Sequence, residues 1–411
     1  MLLMDVGVQT ERIHFEISKE RKDAEVQTEI SLHENHSAEK IDAGVQTVKT
    51  DSRITKKYAV PAVIIDAGSG SVKVGFAGDE DPEAEFPNVI GAPKHSIAFS
   101  PLHEPPSESD ILVAENAECN VKVLNVRYNV VDGIITWWAG MEKILDHALF
   151  RKLDVDVSQF VILIISETSN RKQFLEILYQ RFKPIELILV NQVILSLFAS
   201  GRSTGVVINF GEGTSHVVPI HERNILQYAV RRWGCNGLQL TEKLMEMLNI
   251  SKTSLGRKYA KKIKEKHCYV ASDPHAERRH VRYDQCHLPD GSEITIGQEK
   301  FQCPEVLFQN WCIHRIVVRA IKSCDKDIQK DLFRNIVLAG GSTMLPGFPE
   351  RLEKEIRDLV GETIEVNIIA PPDRNLSAWK GGSKIAPTDF FPCNIISGYE
   401  YKAGEYSIFH K

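Results

Sequence analysis

The chain has 411 residues, of which 43% are hydrophobic and 26% charged, and this composition is typical of a soluble protein with more than one domain. Its formal net charge of −5 gives no electrostatic basis for nucleic acid or an anionic membrane as the main partner. The eight cysteines are scattered without a CxxC pair, a pattern that favours free thiols over a disulfide framework or a zinc site.

The first 58 residues differ in composition from the rest of the chain. They are rich in charged and small polar residues and poor in aromatic ones, so residues 1–58 are predicted to be a disordered tail. A hexapeptide ending in Val-Gln-Thr occurs three times, at positions 5–10, 23–28 and 42–47. Three copies in so short a stretch indicate a repeated binding motif, and duplication without a ligand is the competing interpretation.

Two glycine-rich turns follow apolar, β-branched runs in the part of the chain after the tail. One is DAGSGSVK at 66–73, after the run 62–65, and the other is NFGEGTSH at 209–216, after 206–208. Glycine lets backbone N–H groups approach a phosphate closely, and a polar residue at the end of each strand can hold a metal ion or its waters. The pair predicts two related halves that hold one nucleotide, although plain hairpins would share the local pattern.

Apolar periodicity predicts alternating strands and helices over the rest of the chain. The apolar run 160–165 is too short to span a bilayer and is predicted to be a buried strand. A third glycine turn, GGST at 340–343, also follows a predicted strand. The alternation predicts an α/β architecture with ligands at the carboxyl ends of the strands. The other predicted strands are 185–190, 335–338 and 365–369, and the predicted helices are 138–153, 172–182, 192–200, 238–248, 257–269, 304–322 and 326–334.

Several longer motifs occur in order from residue 59 to the end, and with them the chain resembles actin and the actin-related proteins. They include DAGSGSVKVGFAG at 66–78, QVILSLFASGR at 192–202, KEKHCYV at 264–270 and GGSTMLPG at 340–347. The resemblance implies a two-lobed ATPase fold of four subdomains, in which duplicated mixed β-sheet domains are flanked by helices. It also implies ATP or ADP, with Mg or Ca, in the cleft between the lobes.

The resemblance also assigns domain boundaries. The first lobe is predicted to span 59–199, with a small subdomain at 88–124, and to be completed by 377–411. The second lobe is predicted to span 200–376, with a small subdomain at 236–308.

Site residues are likewise implied by the resemblance, position by position. Asp66 would lie beside the cation. Gln192 and His216 stand where the family positions the attacking water. The residues expected to contact the nucleotide are Ser69, Gly70 and Lys73 in the first turn, Gly211, Glu212 and Gly213 in the second, Lys264 and Glu265 on the adenosine side, and Gly340, Gly341 and Met344 in the third.

The sequence departs from the family pattern near the expected cation and base. Asn209 replaces an aspartate, so a negative charge beside the metal is lost, and Glu212 replaces a shorter acid. Leu345 stands in place of an aromatic residue near the adenine, and Asn375 in place of a basic one. These changes predict nucleotide binding with weak or no ATP hydrolysis, because the loss of one positioned group can cost orders of magnitude in rate.

Segments that actins use for polymerisation are also changed. The loop 95–110 contains three prolines and is longer than usual, the apolar plug is missing after Gln309, and the stretch after Glu167 is shortened to Thr168-Ser169. These differences make a conventional filament less favourable.

The tail repeats resemble the short motif bound by the dimeric dynein light chain. That mode of binding adds a strand to an exposed sheet edge, and β-branched residues suit an extended peptide. Three copies would increase avidity for a dimeric partner. The residues expected to bind are Val8, Gln9, Thr10, Val26, Gln27, Thr28, Val45, Gln46 and Thr47.

Together these features predict a divergent actin-related protein of the cytoplasm and cytoskeleton that acts as an adaptor or a modified filament subunit. Other cytoskeletal or actin-family proteins are expected partners, and neither membrane insertion nor direct nucleic-acid binding is expected. Two alternatives remain at this stage. One is an active ATPase that polymerises like actin, and the other is a nuclear actin-related subunit of a chromatin complex.

Overall fold

The computed structural model describes residues 61–93, 111–166, 171–287, 293–385 and 395–397. The tail repeats, the predicted loop 95–110 and Thr168-Ser169 therefore lie outside the described residues. Lys56–Lys411 forms one compact unit.

The strands cluster in two larger sheets and several small ones. Their bounds, numbered along the chain, are Ala62–Ala67 (β1), Ser71–Phe76 (β2), Ala84–Pro87 (β3), Val89–Pro93 (β4), Leu112–Val113 (β5), Leu124–Tyr128 (β6), Val130–Val131 (β7), Ile134–Ile135 (β8), Val161–Ile165 (β9), Glu186–Val190 (β10), Gly205–Phe210 (β11), Ser215–His221 (β12), Asn224–Ile225 (β13), Arg231–Arg232 (β14), Asp284–His287 (β15), Glu293–Ile296 (β16), Ile336–Ala339 (β17), Ile368–Ile369 (β18) and Ile395–Ser397 (β19).

The α-helices alternate with these strands. Their bounds are Ala114–Cys119 (α1), Trp138–Asp146 (α2), Arg171–Ile177 (α3), Gln192–Ala199 (α4), Gly237–Met247 (α5), Ser254–His267 (α6), Pro274–Glu277 (α7), Glu299–Gln309 (α8), Ile313–Lys322 (α9), Lys326–Arg334 (α10), Phe348–Val360 (α11) and Ser377–Ile385 (α12).

The first large sheet has the strand order β19-β10-β9-β1-β2-β3. Strands β1, β9 and β10 run parallel, and β2 returns antiparallel to β1. Separate apolar clusters cover its two faces, and Val161–Ile165 is buried along its whole length. Burial on both faces explains why this strand is continuously apolar instead of alternating.

The second large sheet repeats the local pattern of the first. Its order is β13-β12-β11-β17-β18, with β14 paired to β12. Strand β11 is parallel to β17 and antiparallel to β12, just as β1 is parallel to β9 and antiparallel to β2. The two glycine turns therefore end equivalent strands in two related sheets, and the predicted duplicated α/β fold is confirmed.

Helices α4 and α12 pack together with their backbones in close contact. A Cβ added at Gly381 would lie 2.1 Å from the carbonyl oxygen of Leu195. The buried Trp379 donates its indole N–H to the carbonyl of Ile64 in β1 at 3.3 Å. These contacts fix α12 against both α4 and the first sheet.

Some predicted elements differ from the structure. The predicted helix 304–322 is two helices, because residues 310–312 break it and Cys312 has a left-handed φ of 49°. The predicted helices 138–153 and 172–182 each end in π-helical turns, His147–Lys152 and Leu178–Phe182. Within the described ranges, no helix combines the length and apolar character needed to cross a membrane.

Candidate functional site

The first glycine turn lies between β1 and β2 and holds a buried acid beside a buried base. Asp66 is opposite Lys73 in the register of the two strands, and its Oδ2 is 3.7 Å from Lys73 Nζ. Glu85 Oε1 is 3.9 Å from the same Nζ. Burial raises the pKa of Asp66, and the nearby Lys73 opposes the rise without cancelling it. A single lysine thus leaves this carboxylate incompletely compensated, so a cation at this point would stabilise its ionised form.

The second glycine turn lies between β11 and β12. The amide of Gly211 donates to the carbonyl of Thr214 at 2.9 Å and closes the turn. Asn209 is buried in β11, opposite His216 in β12. The side-chain amide of Asn209 supplies an acceptor oxygen but no negative charge. Of the two strand-end residues expected beside the cation, Asp66 and Asn209, Asp66 is therefore the one with a carboxylate.

Glu212 is paired with two lysines of α6. Its Oε2 is 3.7 Å from Lys264 Nζ, and its Oε1 is 3.7 Å from Lys261 Nζ. Burial works to raise the pKa of Glu212, but the charges of Lys264 and Lys261 outweigh it and hold the pKa below its ordinary value. The negative charge of Glu212 is therefore balanced by lysine, and Glu212 does not replace the charge missing at Asn209.

The first two glycine turns meet directly. A Cβ at Gly70 would lie 2.9 Å from the Cβ of Glu212, and one at Gly213 would lie 2.5 Å from Ser69 Oγ. Real side chains do not approach this closely, so glycine at both positions lets the two sheets bring their turns into contact. The first two glycine turns thus face each other, as the sequence predicts.

The third glycine turn is tied to the second. Ser342 Oγ donates to the carbonyl of Gly211 at 3.1 Å, and Arg374 holds the turn through Thr343. Gly340 has a φ of 90°, and a Cβ there would lie 2.6 Å from the carbonyl oxygen of Phe210. A Cβ at Gly341 would meet nothing within 4 Å, so this glycine borders open space.

A cavity of about 480 Å³ lies between the three turns and α6. Its volume is within the range of about 300–1,000 Å³ typical of small-molecule sites. The departures Asn209, Leu345 and Asn375 also line it. The cavity brings together these predicted site residues: Asp66, Ser69, Gly70, Lys73, Gln192, Gly211, Glu212, Gly213, Lys264, Glu265, Gly340, Gly341 and Met344.

The two residues expected to position water are placed differently. Gln192 begins α4, whose N-cap is Asn191, and it lines the cavity. His216 is buried in β12, directly opposite Asn209 of β11. Of the two, Gln192 is the one that lines the cavity.

Lys261 is a cavity residue that the sequence interpretation did not single out. It lies one helical turn before Lys264 on α6, and this spacing puts both side chains on the same face. Burial works to lower the pKa of Lys261, but the combined charges of Glu212, Glu265 and other nearby acidic groups raise it above its ordinary value. The i,i+3 spacing was the signal available in the sequence.

The sequence model of the actin family matches residues 57–411. The chain belongs to the actin family. The match covers all but the first residue of the compact unit and includes all three glycine turns. The fold of paired sheets around a cavity is therefore that of an actin-family protein, and such proteins generally bind ATP or ADP with a divalent cation.

The cavity of this actin-family protein fits such a ligand by its own chemistry. Glycine backbone faces the cavity from three turns, and Gly341 leaves the space that a ligand would fill. Lys73 offers a compact positive charge suited to phosphate oxygens. The oxygen atoms that line the cavity and suit a hard cation include the carboxylate of Asp66 and the amides of Asn209 and Gln192.

Proposed function

We propose that this actin-family protein binds ATP or ADP in the cavity and hydrolyses ATP slowly or not at all. In this proposal it serves the cytoskeleton of the cytoplasm as an adaptor or a modified filament subunit. The observation that carries the proposal is the pair of Asn209 and Glu212. The first has no charge, and the charge of the second is balanced by Lys264 and Lys261.

Asp66, Asn209 and Gln192 would hold a Mg or Ca ion together with its waters. Such an ion, when bound, neutralises phosphate charge and supports the reaction electrostatically. Because Asn209 replaces a carboxylate, one carboxylate remains beside the cation instead of two. These residues therefore hold the cation less tightly, and Gln192 orients the water with less electrostatic support from the cation. Binding then depends more on Lys73 and on the backbone N–H groups of the turns.

Phosphate release from ATP by the purified full chain tests the proposed weakness of hydrolysis. The wild-type protein is expected to release phosphate slowly, and Asn209→Asp is expected to release it faster by about tenfold or more, because a second carboxylate then supports the cation and the water. Fast release by the wild-type protein, unchanged in Asn209→Asp, would contradict the proposal and favour the active ATPase.

The proposed adaptor role rests on the tail repeats, which lie outside the described residues. We propose that the three Val-Gln-Thr motifs recruit a dimeric dynein light chain by strand addition, and that Gln9, Gln27 and Gln46 lie at the centre of each contact. With several motifs on each chain, successive dimers could each bind the same two tails, and this multivalency would increase the avidity.

Titration of the full-length chain with a dynein light chain dimer tests this recruitment. Low-micromolar or tighter binding is expected for the wild-type chain, and replacement of all three glutamines by alanine is expected to abolish it. A chain in which Gln285 of the globular part is replaced instead should bind like the wild type. Binding that survives the triple replacement would rule out these motifs as the contact.

A further inference from the structure

A thiol, an imidazole and a carboxylate lie next to one another, outside the lining of the cavity. Cys286 Sγ in β15 is 3.5 Å from Nε2 of His267, the last residue of α6. Nδ1 of the same ring is 3.4 Å from Asp284 Oδ2. Lys300, at the beginning of α8, donates to that same carboxylate oxygen at 2.8 Å. Three separate elements therefore bring these groups together.

The acid among these groups determines which ring nitrogen faces the thiol. Asp284 is held ionised by Lys300, whose hydrogen bond, with that of His267, keeps the pKa of Asp284 below its ordinary value. An ionised carboxylate only accepts hydrogen bonds, so it favours the proton of His267 on Nδ1. Nε2 is then the basic nitrogen, and it points to Cys286, as in an activated nucleophile–base pair.

The other cysteines that the structure describes lie in different surroundings. Cys235, Cys268, Cys303 and Cys324 are buried, and Cys119 is exposed. Cys312 is half-buried like Cys286, but its thiol contacts the carbonyl oxygen of Gln309, which cannot take up a proton at neutral pH. Within this part of the chain, Cys286 is the partly accessible thiol that contacts an imidazole.

We propose that Cys286 is a redox modification site, at which hydrogen peroxide or an organic peroxide oxidises the thiol to a sulfenic acid. His267 Nε2 takes the thiol proton, and the sulfur attacks the peroxide. An S–O bond forms as the O–O bond breaks. The sulfur is oxidised and the peroxide is reduced. His267 returns the proton to the departing oxygen, which leaves as water or an alcohol.

The surroundings of Cys286 keep its thiol protonated, so the oxidation step needs the His267 imidazole as a base. Burial and the charge of Asp284 raise the pKa of the Cys286 thiol, against the smaller opposing effects of Lys266 and Lys300. The resting thiol therefore keeps its proton, and the thiolate, which is the reactive form, arises by transfer to His267. Removal of the imidazole should slow the oxidation of Cys286 without affecting other cysteines.

The full-length protein, exposed to hydrogen peroxide with a sulfenic-acid trap and then digested, allows each cysteine to be followed by mass spectrometry. Cys286 is expected to be trapped at least about tenfold faster than the half-buried Cys312, since a positioned base commonly accelerates proton transfer by more than this. His267→Gln is expected to lower the rate of Cys286 to that of Cys312.

The neighbouring variant His287→Gln is the matched control. His287 is exposed and paired with Glu293 instead of the thiol, so its loss should leave the rate of Cys286 unchanged. Unfolding of either variant would raise trapping at the buried Cys235 and so would be visible in the same digest. Equal rates at Cys286 and Cys312, or a rate at Cys286 that does not respond to His267→Gln, would overturn the proposal. Because the experiment measures oxidation of the Cys286 sulfur, its result does not depend on whether the protein binds a nucleotide.

Discussion

At the scale of single residues, Asp66 couples the proposed cation site to the stability of the ligand-free protein. Its folded-state pKa is raised, chiefly by burial. Its favourable contribution to the free energy of unfolding is therefore present at acid pH and is lost as the pH rises through the folded-state pKa. In the absence of ligand, an ionised Asp66 therefore costs stability at neutral pH. The same charge is what a bound cation would use.

Asp66→Asn is expected to remove this pH dependence. The free energy of unfolding of the variant should increase relative to that of the wild type as the pH rises from acid to neutral, because only the wild type then ionises a buried group. Denaturant unfolding of the ligand-free proteins over that pH range measures the difference. A difference between Asp66→Asn and the wild type that stays constant across this range would refute the assignment.

Asn209→Asp is expected to make nucleotide binding more dependent on the cation. With a second carboxylate near Asp66, the affinity for ATP in Mg should increase by about tenfold, or ~1.4 kcal/mol. Calorimetric titration with Mg and with a chelator measures the change. Asn125→Asp, on the exposed part of β6, adds the same charge elsewhere and serves as the control. An equal gain in both variants would point to general electrostatics rather than to a cation ligand.

The glycine turns of the cavity could be predicted from the sequence because such turns after apolar strands have a specific physical use, and its other predicted residues came from the resemblance to the actin family. The pairing of Glu212 could not be predicted. Its partners come from α6, about fifty residues further along the chain. Which carboxylate points to a cation and which to a lysine depends on how α6 packs, and the local sequence does not contain that information.

At the scale of elements, the contact of α12 with α4 sets a strict limit on side-chain size. Gly381→Ala would place a methyl group 2.1 Å from a backbone carbonyl, which cannot move aside. The helices must separate, and the free energy of unfolding should fall by about 2–3 kcal/mol. Thermal or denaturant unfolding measures this loss.

The adjacent Gly382→Ala is the matched control. Its added Cβ would be 3.2 Å from the Ile64 side chain and 3.5 Å from two others, contacts that small side-chain movements relieve. Alanine also favours a helix over glycine by about 1 kcal/mol, so the net change should be below about 1 kcal/mol. Similar losses in both variants would mean that the close approach of α4 and α12 does not control stability.

Helix and strand positions were predicted well where periodicity is long and regular. The break between α8 and α9 was missed because it depends on a left-handed backbone at Cys312, and cysteine gives no turn signal. The predicted strand 365–369 is reduced to Ile368–Ile369, since pairing with β17 covers only that part. Both differences arise from tertiary contacts that override local preference.

At the scale of the whole molecule, the connection between α8 and α9 bears on assembly. Three residues join Gln309 to Ile313, so the described structure has no room there for the apolar plug of conventional actins. The purified full chain is therefore expected to stay in the supernatant in a pelleting assay with Mg and ATP, while conventional actin pellets. Long filaments of this chain by itself would instead favour the polymerising alternative.

The turns from the two sheets are proposed to bind one adenine nucleotide even though the cation site is weakened. Calorimetric titration of the purified, nucleotide-free full chain with ATP, in Mg and in a chelator, measures this binding. We expect one nucleotide per chain in both conditions, with an affinity that decreases by less than about tenfold when the cation is removed, since Lys73 and the turn amides remain. The absence of binding in either condition would contradict the proposal.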